Sequence, residues 1–389
     1  MHVGDIVYMD MMGQPFVVLN SAQVASDLLE KRSASYSDRV SAPMVTNPTL
    51  LDWSGFIGML PYSDLWRRQR RRMSEWLNIR SVRQFDGLQQ DEARLLLRRL
   101  LDIPASPQLF EKIKHQFFFT MGSTMFKLAY GYHLKSDQDP FFLNAVEATE
   151  NLFHSTMMSN FLVNAFPALS YVPDWFPGTG WKRTARQRRE QKNRAVDAPY
   201  EWAKRQVETG SFEPSVLSAL LQDHHLVSGL SEADRDKELK ELAFVLFVGG
   251  PPHACYRDDV YRGYDIQKGT ILLGNVWAMS RDENVYKSPD IFEPERFLDP
   301  SVPPVPGFGW GRRKCPGIHF AETSLFLIIS SLLTTFTFSR KKDEDGREIV
   351  PKIEAAYNDL SLPLKPFDFE VRPRSEKHRQ LIFENTVNE

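Results

Sequence analysis

Cysteine is scarce in this sequence: Cys255 and Cys315 are the two cysteines among 389 residues. Two cysteines cannot form the disulfide framework on which small secreted domains depend, so the sequence excludes that class. The scarcity indicates a reducing compartment, or a thiol that is kept for chemistry.

Long apolar runs and a strong net charge are also missing. No stretch of 18 or more consecutive apolar residues occurs, and the N-terminal MHVGDIVYMD has neither a basic flank nor an apolar core. The sequence therefore predicts no uninterrupted transmembrane segment and no signal peptide. The net charge of −2 gives no overall attraction to nucleic acid or to an anionic membrane. We expect the chain as written to be soluble.

The residues that are present suit a globular protein. Hydrophobic residues make up 42% of the chain and aromatic residues 12%, which is enough to bury one large core or two modest ones. The sequence has no internal repeat and no low-complexity tract. We predict a single domain over residues 1–389.

Most of the chain carries helical periodicity, with small sheet elements near both ends. DIVYMD and QPFVVLN alternate around Gly13 and predict a hairpin, after which Ser21 would cap a helix through Arg32. Longer helices are predicted over residues 62–79, 82–101, 108–130, 140–163 and 181–209. The fold class predicted is mainly α.

The pattern changes from about residue 256 to short strands and a Pro-rich segment, which ends at FGWGRRKCPGIHF, residues 308–320. An apolar helix is predicted after it, from Pro316 to about Thr335, and its composition indicates burial. Cys315 thus lies between cationic side chains and a predicted helix N-terminus. Both features stabilise a thiolate.

This setting favours a thiolate that ligates haem iron, a ligation that promotes O–O cleavage. Gly311 and Gly317 would leave room for a flat macrocycle close to the backbone. Phe308 would shield the sulfur from water, and Arg313 would pair with a carboxylate of the macrocycle. The alternative is a buried structural cysteine beside a basic loop.

The spacing F-x-x-G-x-R-x-C-x-G resembles the haem-binding signature of the cytochrome P-450 superfamily. It is met by Phe308, Gly311, Arg313, Cys315 and Gly317. Other segments follow in the family's order over nearly all of the chain, and the likeness is greatest to fungal members. The resemblance implies a P-450-like helical fold with small β-sheets, in which Cys315 is the metal ligand.

Three further residues match family positions that contact haem propionates. DLWRRQRRRM resembles the family's W-x-x-x-R helix, in which Trp66 and Arg70 are four residues apart and share one helical face. PPHACYRDDVYRGYDIQKGT resembles the family's strand pair and would place His253 at the haem. The alternatives are an amphipathic helix with a core tryptophan, and an ordinary surface histidine.

The resemblance implies a function as well as a cofactor. It implies a haem-thiolate monooxygenase that inserts one oxygen atom from O₂ into an apolar organic substrate, in secondary or xenobiotic metabolism. Electrons would come from NADPH through a flavin reductase. The substrate itself is not predicted.

The arginines of WRRQRRR would form the basic face that meets an acidic reductase surface; they are Arg67, Arg68, Arg71 and Arg72. A nucleic-acid patch is the weaker interpretation, because no interleaved aromatics accompany the cluster. The resemblance implies a location on the cytosolic face of the endoplasmic reticulum membrane. We expect the chain as written to lack the family's N-terminal anchor, so a cytoplasmic location is the alternative.

One departure from the family is large. LKELAFVLFVGG, residues 239–250, begins an apolar helix that stops at Pro251 and Pro252, which cannot continue a helix. In the family, this point is followed by an acid–threonine pair that delivers protons, by several helices and by an E-x-x-R pair. The fold is therefore expected to lack part of the central helix and the helices after it, with the junction at 250–251, and no residue is assigned as catalytic.

Three consequences are expected from this gap. The apolar LAFVLFV would be exposed, and Arg296 of the segment FEPERF would lose its glutamate partner, at a cost of about 3–5 kcal/mol if it stayed buried. The chain as written would not sustain turnover. The alternative function is accordingly an inactive remnant that at most binds haem.

Overall fold

The computed structural model describes residues 4–40, 42–103, 108–222, 231–248, 253–354 and 364–384. The predicted junction at 250–251 lies outside these residues. The α-helices are α1 Ala22–Ala25, α2 Pro43–Thr46, α3 Asp64–Leu77, α4 Asp86–Leu101, α5 Leu109–Tyr130, α6 Pro140–Thr156, α7 Gly180–Glu208, α8 Val216–Gln222, α9 Glu232–Phe244, α10 Val276–Met279, α11 Ile318–Thr335 and α12 Glu376–Glu384. The prediction of a mainly helical protein with small sheets is confirmed.

The strands form three small sheets among the described residues. They are β1 Ile6–Met11, β2 Gln14–Leu19, β3 Asp38–Arg39, β4 His253–Ala254, β5 Asp259–Tyr261, β6 Tyr264–Ile266, β7 Ile271–Gly274, β8 Phe336–Ser339 and β9 Glu370–Pro373. The largest sheet has the order β1-β2-β7-β4-β3, and the others are the pairs β5-β6 and β8-β9. In the largest sheet β2 and β7 run parallel, whereas the other neighbours are antiparallel.

The predicted N-terminal hairpin is present. Ile6 pairs with Leu19, and the two strands are joined by Met12 and Gly13, both with positive φ. Two consecutive left-handed residues match the right-handed twist of a hairpin. The next helix is shorter than predicted, because α1 passes into a π-helix over Ser26–Lys31, and the hydroxyl of Ser21 makes no capping bond.

The longer helices follow the predicted periodicity, with differences at their ends. Of the helix predicted over 82–101, the part from residue 86 is α-helical (α4) and a 3₁₀ turn precedes it. Of the helix predicted over 140–163, the part up to residue 156 is α-helical (α6). The short helices α8 and α12 were not predicted. Helix ends depend on local capping and packing more than on periodicity, which explains these differences.

The chain divides into two compact units. The first, the cysteine-loop unit, comprises Met1–Ser74, Glu150–Lys192 and Val248–Pro316; the second, the helical unit, comprises Glu75–Thr149, Asn193–Phe247 and Gly317–Glu389. The cysteine-loop unit contains the largest sheet, whose core includes the fully buried Leu19, Leu28, Tyr36 and Leu272. The single domain over 1–389 stays a prediction.

The apolar segment LAFVLFV is buried, so the expectation that it is exposed is wrong. Leu242 and Phe244 on α9 are 3% and 1% exposed. The ring of Phe247 lies 4.7 Å from that of Phe126 on α5 and 5.7 Å from that of Phe244. Aromatic packing within the helical unit therefore covers this segment.

Helix α11 has the predicted C-terminal end, but the predicted burial is wrong. It packs on α4, where Gln89 Nε2 donates to the carbonyl of Phe320 at 2.8 Å. Its other side exposes Leu325, Phe326, Ile329 and Leu333, which are 52–70% exposed. By length and composition α11 could cross a membrane, the one described helix for which this holds, and 17% of it is buried.

Arg296 also differs from expectation, because it has hydrogen-bond and ion-pair partners. Its guanidinium donates to the carbonyls of Lys287 and Ile291, each at 2.7 Å. Its Nη2 lies 3.6 Å from the carboxylate of Glu293, three residues earlier. Backbone carbonyls and a local glutamate thus satisfy an arginine that the sequence analysis left without a partner.

Candidate functional site

The cysteine loop, residues 308–317, holds Cys315 at the surface. The loop is closed by a hydrogen bond from the Cys315 N–H to the carbonyl of Phe308, 2.9 Å long, and contains a 3₁₀ turn over Gly311–Arg313. Cys315 is exposed. Phe308, which was expected to shield the sulfur, is half-buried and leaves the cysteine accessible.

Gly311 is required by the packing of the loop. Its φ is +53°, which disfavours other residues, and a Cβ at this position would overlap the carbonyl oxygen of Leu29 in the π-helix. This is a reason for glycine other than room for a macrocycle. Gly317 is the N-cap of α11 with φ −86°, a value that other residues also adopt.

Arg313 is buried in the cysteine-loop unit, with 8% of the residue exposed. Its Nε donates to the carbonyl of Ser37 and its Nη2 to that of Leu60, both at 2.7 Å. The guanidinium also covers the ring of Trp66, with 4.4 Å to the ring centroid. Burial, and next the charge of Arg39, lower the pKa of Arg313 to about 9, so it remains charged at neutral pH.

Trp66 and Arg70 lie one turn apart on α3, and both contact the cysteine loop; their contact with haem stays a prediction. Trp66 is buried beneath Arg313. Arg70 donates from Nη2 to the carbonyl of Lys314, the residue before Cys315. Burial lowers the pKa of Arg70. Helix α3 therefore meets the loop through both side chains.

His253 on β4 is buried and is not the ordinary surface histidine of the alternative interpretation. Its Nδ1 lies 3.0 Å from the carbonyl oxygen of Tyr36. Because a carbonyl only accepts, Nδ1 carries the proton. Burial, and next the charge of Arg39, lower the pKa of His253 to about 3, so the ring is neutral at neutral pH.

Arg39 was not recognised from the sequence. It lies on β3 directly opposite His253 in the antiparallel pair β3–β4. Burial, and next the charge of Arg70, lower its pKa to about 10. No motif marks this residue; the strand pairing alone brings it to the site, and a two-residue strand leaves no readable periodicity.

The donor set fits a haem. An exposed thiol supplies an iron ligand, and Arg39, Arg70 and Arg313 supply cations for carboxylates. Like charges in one place repel one another, and an anionic ligand relieves that cost. The residues present therefore suit a metal macrocycle that carries carboxylates.

The predicted basic face is present in part. Arg67, Arg68 and Arg71 on α3 are exposed, whereas Arg72 is 4% exposed. The inclusion of Arg72 in a surface patch was therefore wrong, because it points to the buried side of the helix. One member of the patch, Arg67, forms an ion pair with Asp64.

Comparison with known proteins identifies relatives for nearly the whole chain. The family model described as Cytochrome P450 matches residues 2–252 and 247–371. A cytochrome P450 monooxygenase, claR, of Ampulloclitocybe clavipes is 30% identical, with 97% of this chain and 82% of the relative covered. The tryptamine 4-monooxygenase of Psilocybe cyanescens is 30% identical over 89% of this chain and 81% of that protein.

A solved structure also matches. The zebrafish cytochrome P450 described with abiraterone has a TM-score of 0.69 and 18% identity, and the match covers 96% of this chain and 97% of that one. At this identity the likeness concerns the fold. It agrees with the predicted P-450-like helical architecture.

The alignments also contain positions that have no residue of this chain. The one with the A. clavipes protein runs over 454 positions, whereas 97% of this 389-residue chain is about 377 residues. About 77 positions of the alignment therefore have no residue of this chain. The two matches to the family model overlap at residues 247–252, and the junction at 250–251 stays a prediction.

Proposed function

The chain belongs to the cytochrome P450 superfamily, and from this premise we propose that it is a haem-thiolate monooxygenase. The proposed reaction inserts one atom of O₂ into an apolar organic substrate. One observation carries the proposal: Cys315, an exposed thiol, stands on a loop that Arg70, Arg313 and Trp66 hold in place.

Cys315 is proposed as the iron ligand through its thiolate. When bound, the haem supplies oxygen activation and electron transfer, which no side chain supplies by itself. The protein's part is to hold the sulfur in position, through the hydrogen bond from Cys315 N–H to Phe308 and through the bond from Arg70 to the Lys314 carbonyl. Both bonds are made by the peptide group between Lys314 and Cys315, so they fix the backbone directly before the residue that carries the sulfur.

Trp66, Arg70, His253 and Arg313 are proposed to surround the haem carboxylates. The Nε and Nη2 bonds of Arg313 use two of its five N–H groups. His253 keeps the proton on Nδ1 for Tyr36, so its Nε2 donates to a carboxylate only after a second proton is bound. Phe308, Gly311 and Gly317 shape the loop around the ligand.

NADPH is the proposed electron source, through a flavin reductase that docks on Arg67, Arg68 and Arg71. These exposed arginines lie on the same helix as Trp66 and Arg70. Rim charges of this kind accelerate association with an acidic partner and make it sensitive to salt. The cytosolic face of the endoplasmic reticulum membrane is the proposed location, because the family's reductase partner would be found there.

The substrate is proposed only as a class, an apolar organic molecule of secondary metabolism. The relative from P. cyanescens is named as a tryptamine 4-monooxygenase, and this supports small organic compounds as candidates. Indolealkylamines belong in the first panel of compounds for that reason.

Turnover tests the proposal directly. The chain, supplied with haem, NADPH and a fungal reductase, is incubated with the panel, and products are measured by mass spectrometry under ¹⁸O₂. The monooxygenase function predicts product that contains one ¹⁸O atom, that needs NADPH, and that is absent in Cys315→Ser; such product would show that the expectation of no turnover, drawn from the sequence, is wrong. Cys255→Ser is the matched control, since Cys255 is buried. Haem binding without product across the panel would instead support the inactive remnant.

A further inference from the structure

A cleft of about 650 Å³ lies between the end of α4, the start of α5, the strands β8 and β9, and α12. All of its lining residues belong to the helical unit, and none of them is assigned to the haem site. Small-molecule sites in proteins have volumes of about 300–1,000 Å³. The cleft, which we call the α4–β9 cleft, is therefore large enough to hold a small organic ligand.

Apolar side chains form much of the α4–β9 cleft. Leu100 and Phe336 belong to a core cluster of the helical unit and are 4% and 2% exposed. Other lining residues pack against the same cluster and are half-buried; they are Leu101, Ile103, Leu109, Phe369 and Val371. Because their uncovered apolar surface lines a concave space, a ligand with an apolar chain would remove that surface from water.

Charged side chains also line the cleft, and their charges do not cancel. Lys341 forms an ion pair with Asp368, with 3.2 Å between Nζ and Oδ2. Neither Arg372 nor Arg379 forms an ion pair with a residue that the structure describes. With Glu370 as the second anion, the three cations and two anions that line the cleft leave one positive charge.

We propose that the α4–β9 cleft binds a free amphiphile with one carboxylate and an apolar chain, the chemistry of a fatty acid. Arg372 and Arg379 hold the carboxylate, because a guanidinium can donate to both oxygens of that group. A surplus of one charge favours a carboxylate over a phosphate monoester, which carries about 1.5 to 2 negative charges at neutral pH. This site goes beyond the proposed function, since it involves neither haem nor Cys315.

Calorimetry with a charged and an uncharged ligand of equal chain length tests this site. Decanoate and decanol are titrated separately into the full chain and into the double variant that combines Arg372→Ala with Arg379→Ala. We expect the double variant to bind decanoate about 3- to 30-fold more weakly, the range for two exposed charge pairs with good geometry. Its affinity for decanol should stay within about twofold of wild type, because decanol has no charge for the arginines to bind.

Further variants separate ligand binding from a structural role. Val371→Trp fills the cleft from β9, where a strand accepts an aromatic residue, and should weaken the binding of both ligands about tenfold or more. Lys377→Ala removes an exposed cation of α12 that does not line the cleft, and it should leave both affinities unchanged. Arg372→Gln combined with Arg379→Gln replaces the alanine pair if that double variant fails to fold.

The proposed site is wrong if wild type does not bind decanoate, or binds it no more tightly than the double variant does. An equal loss of affinity for decanoate and decanol in the double variant would show that the two arginines support the fold and do not bind the carboxylate. Vesicles that contain phosphatidylserine are the test for a membrane lipid as the source of the carboxylate. If wild type binds these vesicles but not decanoate, and the double variant binds neither, a free amphiphile is the wrong ligand. None of these results depends on haem, so they leave the proposed function untouched.

Discussion

A single residue, Arg313, contacts three other segments of the chain. Its two bonds reach the carbonyls of Ser37 and Leu60, and its face lies on Trp66. The sequence motif assigns the arginine to the cofactor, whereas these three contacts are all made to the protein itself. Arg313 therefore has a structural role in addition to the proposed contact with haem.

Replacement of Arg313 should destabilise the haem-free protein. Arg313→Ala leaves two backbone carbonyls without their donors, so we expect the free energy of unfolding to fall by about 2–4 kcal/mol. Haem retention should weaken as well, by about 1.5–3 kcal/mol. Urea unfolding of the haem-free protein measures the first effect. Arg312→Ala, a change at the exposed neighbour, is the control, and equal stability of the two variants would contradict the structural role.

His253 links stability to pH. Its pKa is about 3 in the folded protein, against an ordinary value of 6.5, because burial and nearby arginines oppose protonation. Between these two values the unfolded chain binds a proton that the folded chain does not. The stabilisation is therefore complete above pH 6.5 and is lost progressively as the pH falls below it.

His253→Asn should remove this share of the pH dependence, since asparagine can still donate to the Tyr36 carbonyl but does not titrate. In the haem-free wild type, His253 should account for a loss of about 2 kcal/mol between pH 7 and pH 5. We expect the free energy of unfolding of the variant to fall by that much less over the same interval. Parallel pH profiles for the two proteins would show that His253 is not the titrating group.

The sequence predicts some site residues better than others, for a physical reason. Trp66 and Arg70 were placed on one face of α3 because helical spacing fixes neighbours four residues apart. Arg39 was not predicted, because strand pairing brings His253 beside it from a position more than 200 residues away in the sequence. The packing role of Gly311 was also missed, since it depends on the Leu29 carbonyl.

Helix α11 is the least covered of the long elements of the helical unit. Leu325, Phe326, Ile329 and Leu333 repeat at one- to four-residue intervals and are 52–70% exposed. Such a contiguous apolar stripe promotes association between copies. The sequence predicts the apolar composition of α11 correctly. Whether α11 is buried depends on which other segments of the folded chain pack against it, and composition alone does not show this.

Phe326→Glu should reduce self-association without loss of helix. Phe326 is 70% exposed, so a charge there costs little in the folded chain and repels other copies. Sedimentation velocity over a range of protein concentrations measures the effect. Leu332→Ser, at a position that is 7% exposed, is the contrasting variant and should instead lower stability by about 2–5 kcal/mol. If both variants lowered the free energy of unfolding by a similar amount, the conclusion that Phe326 lies on an exposed face of α11 would be wrong.

The elements that the sequence predicts best are those with long or strict periodicity. The hairpin and the helices α3 to α7 follow their patterns, because alternation and 3.6-residue spacing report which side is buried. The π-helix over Ser26–Lys31 and the short strand β3 were not predicted. Elements of two to six residues carry too few positions for a pattern, and tertiary packing decides them.

The whole molecule matches its relatives over nearly its full length. About 77 positions of the alignment with the A. clavipes protein have no residue of this chain, and the two family-model matches overlap at residues 247–252. Pro251 and Pro252 after an apolar helix predict a junction at 250–251 from the sequence alone, and the junction stays a prediction. The sequence alone did not show how well these two apolar helices are covered: aromatic side chains pack over α9, whereas α11 has an exposed apolar side.

The absorption spectrum of the reduced protein with carbon monoxide tests the central claim, that Cys315 ligates haem iron through sulfur. The chain is expressed with haem available, reduced, and compared with Cys315→Ser and Cys255→Ser. We predict the long-wavelength band of a thiolate-ligated haem in wild type and in Cys255→Ser, and its loss in Cys315→Ser. If wild type binds haem and Cys315→Ser gives the same band, thiolate ligation by Cys315 is wrong.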